Sequence, residues 1–413
     1  MSGCGWWSAP PNSCCLLVSE VLVSGLAVAV GYSCGRRAPR APKIFQNVCS
    51  NKSGERPIKT YRNLYPSICT FENLYIAYRA ARKGKRSKAS VAAFEFNQEG
   101  ELAQLQSDLR DKTYQPGPYS SFYVHDPKRR LISAAPFRDR VVHHALCQVI
   151  EPIFEARFSH DSYACRLGKG THRALDRCQV FARRYPYVLQ CDVKQFFPSI
   201  DHTMLRARLA RWIVDPDALW LIDRILGSGV GVLAEAYAME WFPGDDLTAA
   251  WRPRGLPIGN LTSQFWSNVY LDVLDQFVKR TLKTPAYVRY CDDFLLFASD
   301  KTQLHDWRQA LIEMLAGLRL RLHEARAQVF PVTEGIPFLG FRVYPDHRRL
   351  KRRKGVAFAR RWRALVQAYG QGEIDRQHLD AALQGWIAHA RHADTYGLRR
   401  ALISAVKFPR RVV

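Results

Sequence analysis

The sequence predicts an α+β fold, because short strand-like runs and longer helix-like runs alternate along it. Residues 187–193 are an apolar run that ends close to an aspartate, and residues 288–297 form two apolar runs separated by a turn. An apolar stripe at helical spacing begins at Phe265, after Thr262 or Ser263 as the expected helix cap, and continues at Val269, Val273 and Phe277. We also expect helices over residues 71–81, 141–153, 202–214 and 301–318, and a hairpin that joins residues 122–125 to residues 130–133.

The composition indicates a globular protein that binds a polyanion. The chain has 413 residues, of which 47% are hydrophobic, and a formal net charge of +24 at pH 7. So large a positive field favours nucleic acid or an anionic membrane surface as a partner. The 11 cysteines are scattered through apolar runs, which indicates reduced thiols and a cytoplasmic protein.

The N-terminal residues 1–56 differ from the rest and are expected to form a poorly ordered extension. Residues 14–32 are apolar, but Glu20 interrupts them and no basic residue precedes them. A signal peptide or membrane span is therefore disfavoured, with a membrane-attached protein as the alternative. No stable membrane association is expected.

The chemistry is concentrated in the tetrapeptide Tyr290-Cys291-Asp292-Asp293. Two adjacent carboxylates at the tip of a hairpin repel each other unless a cation lies between them, and a divalent ion with oxygen ligands fits best. A solvated surface turn is the alternative interpretation, but Asp192, at the end of the 187–193 run, supplies a third carboxylate. A second pair, Asp245-Asp246, lies in a Pro/Gly turn without flanking strands and is interpreted as a surface loop.

Asp192 followed by a Tyr-Cys-Asp-Asp hairpin resembles the palm of reverse transcriptases. The resemblance implies a right-hand polymerase, with fingers, a palm of ferredoxin-like antiparallel sheet plus helices, and a short helical thumb. The expected boundaries are residues 57–185 for the fingers and the start of the palm, 186–345 for the palm, and 346–413 for a basic thumb. It implies catalysis by Asp192, Asp292 and Asp293, and two Mg²⁺ ions, or Mn²⁺ as the alternative, held by Asp192, Val193, Asp292 and Asp293.

The resemblance also implies which residues contact the incoming nucleotide. A basic hairpin holds the triphosphate, and Phe197, beside Phe196, excludes a 2′-hydroxyl. Arg326 stands where the family usually carries a lysine, and it can neutralise phosphate but is a poor proton donor. The expected nucleotide-binding residues are Lys128, Arg129, Arg130, Phe196, Phe197, Ile258, Gly259, Gln264 and Arg326.

Primer and template are expected to contact four further segments. These are the segment after the basic hairpin, the Gly- and Lys-containing loop 162–172, the Phe338-Leu339-Gly340 turn that resembles a primer grip, and the basic run from residue 348. The expected residues are Arg138, Arg166, Lys169, Tyr290, Phe338, Leu339, Gly340, Arg352 and Arg353.

Pro257-Ile258-Gly259, followed by Asn-Leu-Thr-Ser-Gln, is similar to the reverse transcriptases of diversity-generating retroelements. That resemblance implies error-prone copying of a template RNA, with errors opposite adenine, and an RNA–DNA hybrid, dNTPs and a small basic accessory protein as partners. Ile258 makes no hydrogen bond to sugar or base, so we expect mispairs to be less disfavoured. The alternatives are a group II intron-like or phage-defence reverse transcriptase, and a catalytically weak RNA-binding scaffold.

Overall fold

The computed structural model describes residues 59–125 and 129–405. The expected extension 1–56 and its apolar segment 14–32 lie outside these residues. The described chain begins with a helical part, in which a long helix follows a two-stranded hairpin. Its elements are α1 (Tyr65–Ile68), α2 (Phe71–Ala81), α3 (Ala89–Phe96), α4 (Gln98–Arg110), β1 (Ser120–Val124), β2 (Arg130–Ala134) and α5 (Phe137–Glu155).

The middle of the chain alternates helices with the strands of the central sheet. Its elements are α6 (Thr171–Arg184), β3 (Tyr187–Lys194), α7 (Phe196–Ser199), α8 (His202–Ala210), α9 (Pro216–Ser228), α10 (Leu261–Gln276), β4 (Tyr287–Tyr290), β5 (Asp293–Ala298), α11 (Lys301–Gly317), β6 (Arg321–Leu322) and β7 (Gln328–Pro331). Four 3₁₀ turns cover Ala234–Ala236, Leu247–Trp251, Glu324–Arg326 and Val332–Glu334, and a π turn covers Phe277–Thr281.

The last part of the described chain is a small sheet followed by helices. Its elements are β8 (Ile336–Phe338), β9 (Phe341–Val343), β10 (Arg348–Leu350), α12 (Arg352–Gly370), α13 (Arg376–Ala390) and α14 (Tyr396–Ser404). The helices have their own small core, in which Phe358, Trp362, Val366 and Leu379 are buried.

In the central sheet, β3 lies between β5 on one edge and β6 and β7 on the other, and β4 forms the far side of β5. All pairings are antiparallel. Alternate residues of β5 enter two different cores: Phe294 and Leu296 pack with α10 and α11, whereas Leu295 and Phe297 pack with α6 and β8. Because both faces are covered, these strands are mostly apolar and do not alternate regularly with polar residues; Gln190 in β3 and Arg289 in β4 are exceptions.

The predicted mixed fold and its antiparallel sheet are confirmed, with shifted helix boundaries. The predicted 141–153 helix begins earlier, at Phe137, and the 202–214 helix ends at Ala210. The expected cap at Thr262 or Ser263 is wrong, because α10 already begins at Leu261 and Asn260 is its N-cap residue. The Ser263 hydroxyl donates instead to the carbonyl oxygen of Pro257 at 2.7 Å.

No helix within residues 59–125 and 129–405 is both long and apolar enough to cross a membrane.

Candidate active site

Strand register brings the three predicted catalytic aspartates to one end of the central sheet. Asp192, near the end of β3, lies directly opposite Asp293, the first residue of β5. Tyr290 and Asp293 close a two-residue turn, hereafter the Asp292 turn, whose central residues are Cys291 and Asp292. Cys291 has a φ of 57°, the left-handed backbone conformation that primed hairpin turns require at this position.

The turn is held against β3 by the main chain of Val193, whose N–H donates to the carbonyl oxygen of Asp292 at 3.3 Å. The Val193 side chain is buried in the core. Only the main chain of this residue can therefore face an ion, which is consistent with its predicted place beside the metal ligands.

Burial and mutual repulsion disfavour full ionisation of the three carboxylates. Burial, then the charges of Asp292 and Asp192, raise the pKa of Asp293 to about 7. Burial and the charge of Asp192 likewise raise the pKa of Asp292. A cation at this end of the sheet would relieve the repulsion, and hard carboxylate oxygens are the ligands that Mg²⁺ and Mn²⁺ prefer.

Basic side chains face these carboxylates from three directions. Arg326, in the 3₁₀ turn after β6, forms an ion pair between its Nη1 and Asp192 Oδ2. The charge of Arg130, on β2, offsets part of the rise in the pKa of Asp292, and the charges of Lys351 and Arg326 offset part of the rise in the pKa of Asp293. Among the described residues, no set of three acidic, histidine or cysteine side chains is arranged to hold an ion. By their chemistry the three carboxylates suit a hard divalent cation, and in this structure Asp192 Oδ2 is paired with Arg326 instead.

The predicted nucleotide-binding loop around Ile258 is fixed to the β1–β2 hairpin. The Ile258 carbonyl oxygen accepts from the Ser133 N–H at 2.9 Å, and the buried Asn260 side chain bridges the loop to Ser133 and Ala135. Gly259 has a φ of 113°, and a Cβ there would lie 3.1 Å from Ile132 Cγ2. Ile258 and Gln264 are half-buried, and Gly259 is exposed.

Phe196 and Phe197 follow β3 directly and differ in exposure. Phe196 is buried in the core, whereas Phe197 is half-buried and packs edge-on against it, with ring centroids 5.3 Å apart. The Phe197 carbonyl oxygen accepts from the Leu256 N–H at 2.9 Å, which ties the predicted sugar gate to the Ile258 loop. Phe196 therefore supports this surface from within the core.

The predicted triphosphate-binding residues lie on the β1–β2 hairpin, where Phe122 pairs with Ile132. Arg129 stacks over the Tyr123 ring, with 4.0 Å between its Cζ and the ring centroid. Lys128 lies outside the described residues. Arg138 is partly buried by its ion pair with Asp108.

The loop before α6 is ordered by Arg166, which differs from the expected template contact. Its guanidinium forms an ion pair with Glu155 at 2.7 Å and also donates to the carbonyl oxygens of Ser159 and Ser162. The Arg166 side chain is only 5% exposed, so a direct contact with nucleic acid would require these bonds to break. Lys169, by contrast, is at the surface, where it donates to the His160 carbonyl oxygen at 2.8 Å.

The remaining predicted primer contacts surround the β8–β9 turn. Leu339 and Gly340 have φ values of 47° and 90°, and the Gly340 carbonyl oxygen accepts from the Lys351 N–H at 3.1 Å. This bond places the start of α12, with exposed Arg352 and Arg353, beside the turn. Phe338 is buried, so its ring supports the turn rather than contacting a ligand. Tyr290 is also nearly buried, and its hydroxyl accepts from Thr171 Oγ1 at 3.2 Å.

Asp245, of the second Asp pair, binds both Nη atoms of Arg319, one of them at 2.9 Å. Its hydrogen bond with Arg319 lowers the pKa of Asp245 to about 2. Asp246 caps the 3₁₀ turn Leu247–Trp251 by accepting from the Thr248 N–H. The pair lies in a loop without flanking strands, as the sequence predicts, and its side chains hold that loop through these hydrogen bonds.

Sequence reasoning missed residues that support the site from behind. In the sequence, Asn260 stands out only as part of the motif that follows Gly259, and Lys351 only as part of the basic run from residue 348. Arg289, Asp275 and Asn268 form a buried polar cluster under the Asp292 turn. A signal was present for Arg289, since an arginine inside an apolar strand needs a buried partner.

Comparison with known proteins agrees with this geometry. The chain is 26% identical over 286 residues to protein YkfC of Escherichia coli K12, covering 59% of this chain and 71% of YkfC. It is 26% identical over 242 residues to the group II intron-encoded protein LtrA of Lactococcus lactis, covering 57% of this chain but only 38% of LtrA. Nuclear intron maturase 1 of Arabidopsis thaliana is 32% identical over 100 residues, which are 24% of this chain and 14% of the maturase.

A family model described as reverse transcriptase (RNA-dependent DNA polymerase) matches residues 124–343, more than half of the chain. The match contains all three aspartates, the Ile258 loop and Arg326. The chain therefore belongs to the reverse transcriptase family of RNA-dependent DNA polymerases.

Proposed function

We propose that the chain copies a template RNA into cDNA by two-metal phosphoryl transfer at Asp192, Asp292 and Asp293. The observation that carries this proposal is the register of Asp192 opposite Asp293, with the Asp292 turn beside them. Bound Mg²⁺ at these carboxylates would activate the primer 3′-hydroxyl and stabilise the leaving pyrophosphate. In this proposal Arg130 and Arg326 neutralise the triphosphate, and Phe197 excludes a 2′-hydroxyl.

In this proposal residues 57–185 are the fingers and the start of the palm, residues 186–345 are the palm, and residues 346–413 are the thumb. The small sheet of β8 to β10 joins the central sheet to α12, so a primer end at Gly340 lies next to the basic start of that helix. In this proposal the exposed side chains of Arg352 and Arg353 contact the backbone of the RNA–DNA hybrid. The proposed location is the cytoplasm, without stable membrane association.

We further propose error-prone copying of the diversity-generating type, because Ile258 presents an apolar side chain at the loop that would check the base pair. Its carbonyl oxygen is already bonded to the Ser133 N–H, and its half-buried side chain can contact the nucleotide. Template RNA, dNTPs and a small basic accessory protein are the proposed partners. A group II intron-like enzyme is the second candidate, and the similarity to LtrA favours it.

Primer extension tests both the proposed DNA synthesis and the proposed error-prone copying. The full chain is given an RNA template of mixed sequence, dNTPs and Mg²⁺, with Asp192→Asn as the matched control, and the products are sequenced. Synthesis that Asp192→Asn abolishes, with errors concentrated opposite template adenines, is the expected result. Faithful cDNA would favour the intron-like candidate, whereas equal product from the variant would contradict the proposed site.

A further inference from the structure

A fully buried arginine lies directly beneath the Asp292 turn. Arg289 is in β4, and its side chain is 0% exposed. Its Nε and Nη2 donate to the two carboxylate oxygens of Asp275 on α10, at 2.7 and 2.6 Å. These two bonds engage both carboxylate oxygens of Asp275, and the Tyr287 hydroxyl also donates to Asp275 Oδ1 at 2.7 Å.

The remaining arm of Arg289 contacts the turn itself. Its Nη1 donates to the Cys291 carbonyl oxygen at 3.1 Å and to Asn268 Oδ1, also at 3.1 Å. The Cys291 carbonyl and the Asp292 N–H belong to one planar peptide unit. A single peptide plane therefore connects the buried guanidinium to the backbone of Asp292, from which the carboxylate extends.

The Asp292 turn has a backbone conformation that surrounding groups must stabilise. Cys291 adopts a left-handed φ of 57°, which a residue with a side chain adopts at an energetic cost. Such a conformation persists when surrounding groups hold it. In this chain the Arg289 bond to the Cys291 carbonyl holds it from below, and the Val193 bond to the Asp292 carbonyl holds it from β3.

Asn268 connects the cluster to a second part of the site. Its Nδ2 donates to the Ala164 carbonyl oxygen at 2.9 Å, in the loop that also carries Lys169. Asn268 and Asp275 are seven residues apart on α10, so they lie on the same face of the helix, two turns apart. The helix begins at the Ile258 loop and therefore links that loop to the Asp292 turn.

Stability alone does not explain a buried ion pair. Apolar residues of similar volume commonly stabilise a core as well or better, because both charges must be removed from water. The groups in the cluster are nevertheless satisfied by specific partners. The arrangement is thus better explained by what it orients than by the stability it adds.

We propose that Asp275, Arg289 and Asn268 are positioning residues that fix the Asp292 turn, and with it the Asp292 carboxylate, for metal binding and phosphoryl transfer. Asp275 orients the guanidinium, and Asn268 and the Cys291 carbonyl share its free arm. The inference rests on the proposed reaction at the three aspartates.

The decisive variant is the double change Asp275→Leu with Arg289→Met. It removes both charges together, so it leaves no unpaired buried ion and keeps similar volume. The matched control is Tyr287→Phe, which removes one hydrogen bond to Asp275 but leaves the Arg289 bond to the Cys291 carbonyl. Folding is followed by circular dichroism and thermal unfolding, and kcat and KM for dNTP are measured by primer extension.

We expect the double variant to be folded and its kcat to fall about a hundredfold, as small misplacements of catalytic groups do, with a smaller change in KM. Tyr287→Phe should keep kcat within about twofold, because its lost bond does not touch the turn. A folded double variant with kcat close to that of Tyr287→Phe would overturn the proposal. If the double variant does not fold, Arg289→Lys decides by the same criterion, because a lysine can pair with Asp275 but lacks the second arm.

Mn²⁺ binding gives a readout that needs no synthesis. Titration followed by water proton relaxation should show about tenfold weaker binding or more in the double variant, as for other residues that orient metal ligands. Equal Mn²⁺ affinity in folded wild type and variant would contradict the positioning role. A wild type that binds Mn²⁺ but makes no product would contradict the proposed function and leave the positioning role to be decided by the titration.

Discussion

Replacing Asn260 with alanine tests whether the Ile258 loop works only when it is held against the β1–β2 hairpin. Asn260 is buried, and its side chain makes three hydrogen bonds: Oδ1 accepts from the Ala135 N–H at 3.1 Å, and Nδ2 donates to the carbonyl oxygens of Ser133 and Pro257 at 2.8 and 3.0 Å. Two of these bonds reach the hairpin, so at about 1 kcal/mol for each neutral bond the change removes about 2 kcal/mol of docking free energy. The Pro257 carbonyl keeps its bond from Ser263, so the groups left without this partner are those of the hairpin.

A loss of about 2 kcal/mol shifts the equilibrium between docked and undocked loop by about thirtyfold. We therefore expect kcat/KM for a correct dNTP to fall at least about tenfold in steady-state primer extension. The matched control is Asn73→Ala, which also removes two bonds to backbone carbonyls, those of Ile68 and Ala145, but on α2, outside the Ile258 loop. The control should lower the melting temperature without changing kcat/KM. If Asn260→Ala left kcat/KM within about twofold of the control, the loop would not depend on this anchor.

Three further predictions concern single side chains. Phe197→Ala should raise incorporation of ribonucleotides about tenfold or more, because the half-buried ring would no longer exclude a 2′-hydroxyl. The measurement is competition of rNTPs against dNTPs, and an unchanged preference for dNTPs would remove Phe197 as the gate. Ile258→Gln should lower the error frequency opposite template adenines in sequenced cDNA, and an unchanged error spectrum would count against the role of the apolar side chain. Burial and the charge of Glu155 raise the pKa of Glu151 to about 7, so wild-type stability should fall as pH rises from about 4.5 through about 7. Glu151→Gln should therefore melt at a higher temperature than wild type at about pH 8.5 and lose this advantage at about pH 5; an equal difference at both pH values would show that burial of the charge is not the cause.

The strands that carry the aspartates could be predicted because local patterns determine them. The apolar run before Asp192 and the two apolar runs around Asp292 are strands of a buried sheet, and a two-residue turn leaves few ways to pair the latter two. The register of β3 against β5 does not follow from these local patterns. The lack of flanking strands likewise distinguishes the pair Asp245-Asp246 from the pair Asp292-Asp293.

Other features depend on contacts between residues far apart in sequence. Arg166 lies in a loop whose sequence is typical of phosphate binding. In the structure its guanidinium donates instead to Glu155 and to two carbonyl oxygens, and the sequence alone does not show this choice of partners. Arg289 lies inside an apolar run, and the run does not show that its partner is Asp275 on the preceding helix. The ion pair between Arg326 and Asp192 joins residues 134 positions apart. Such pairings follow from packing and not from local pattern.

The most direct test of the account compares two members of Asp-Asp pairs. Asp292→Asn removes one negative charge from the turn that would bind metal, whereas Asp245→Asn removes one from the pair held by Arg319. Primer extension on an RNA template with Mg²⁺ should show no detectable synthesis for Asp292→Asn and synthesis close to wild type for Asp245→Asn, provided that both proteins are folded. Synthesis by a folded Asp292→Asn chain at the rate of Asp245→Asn would contradict the assignment of the active site to the end of β3 and the Asp292 turn.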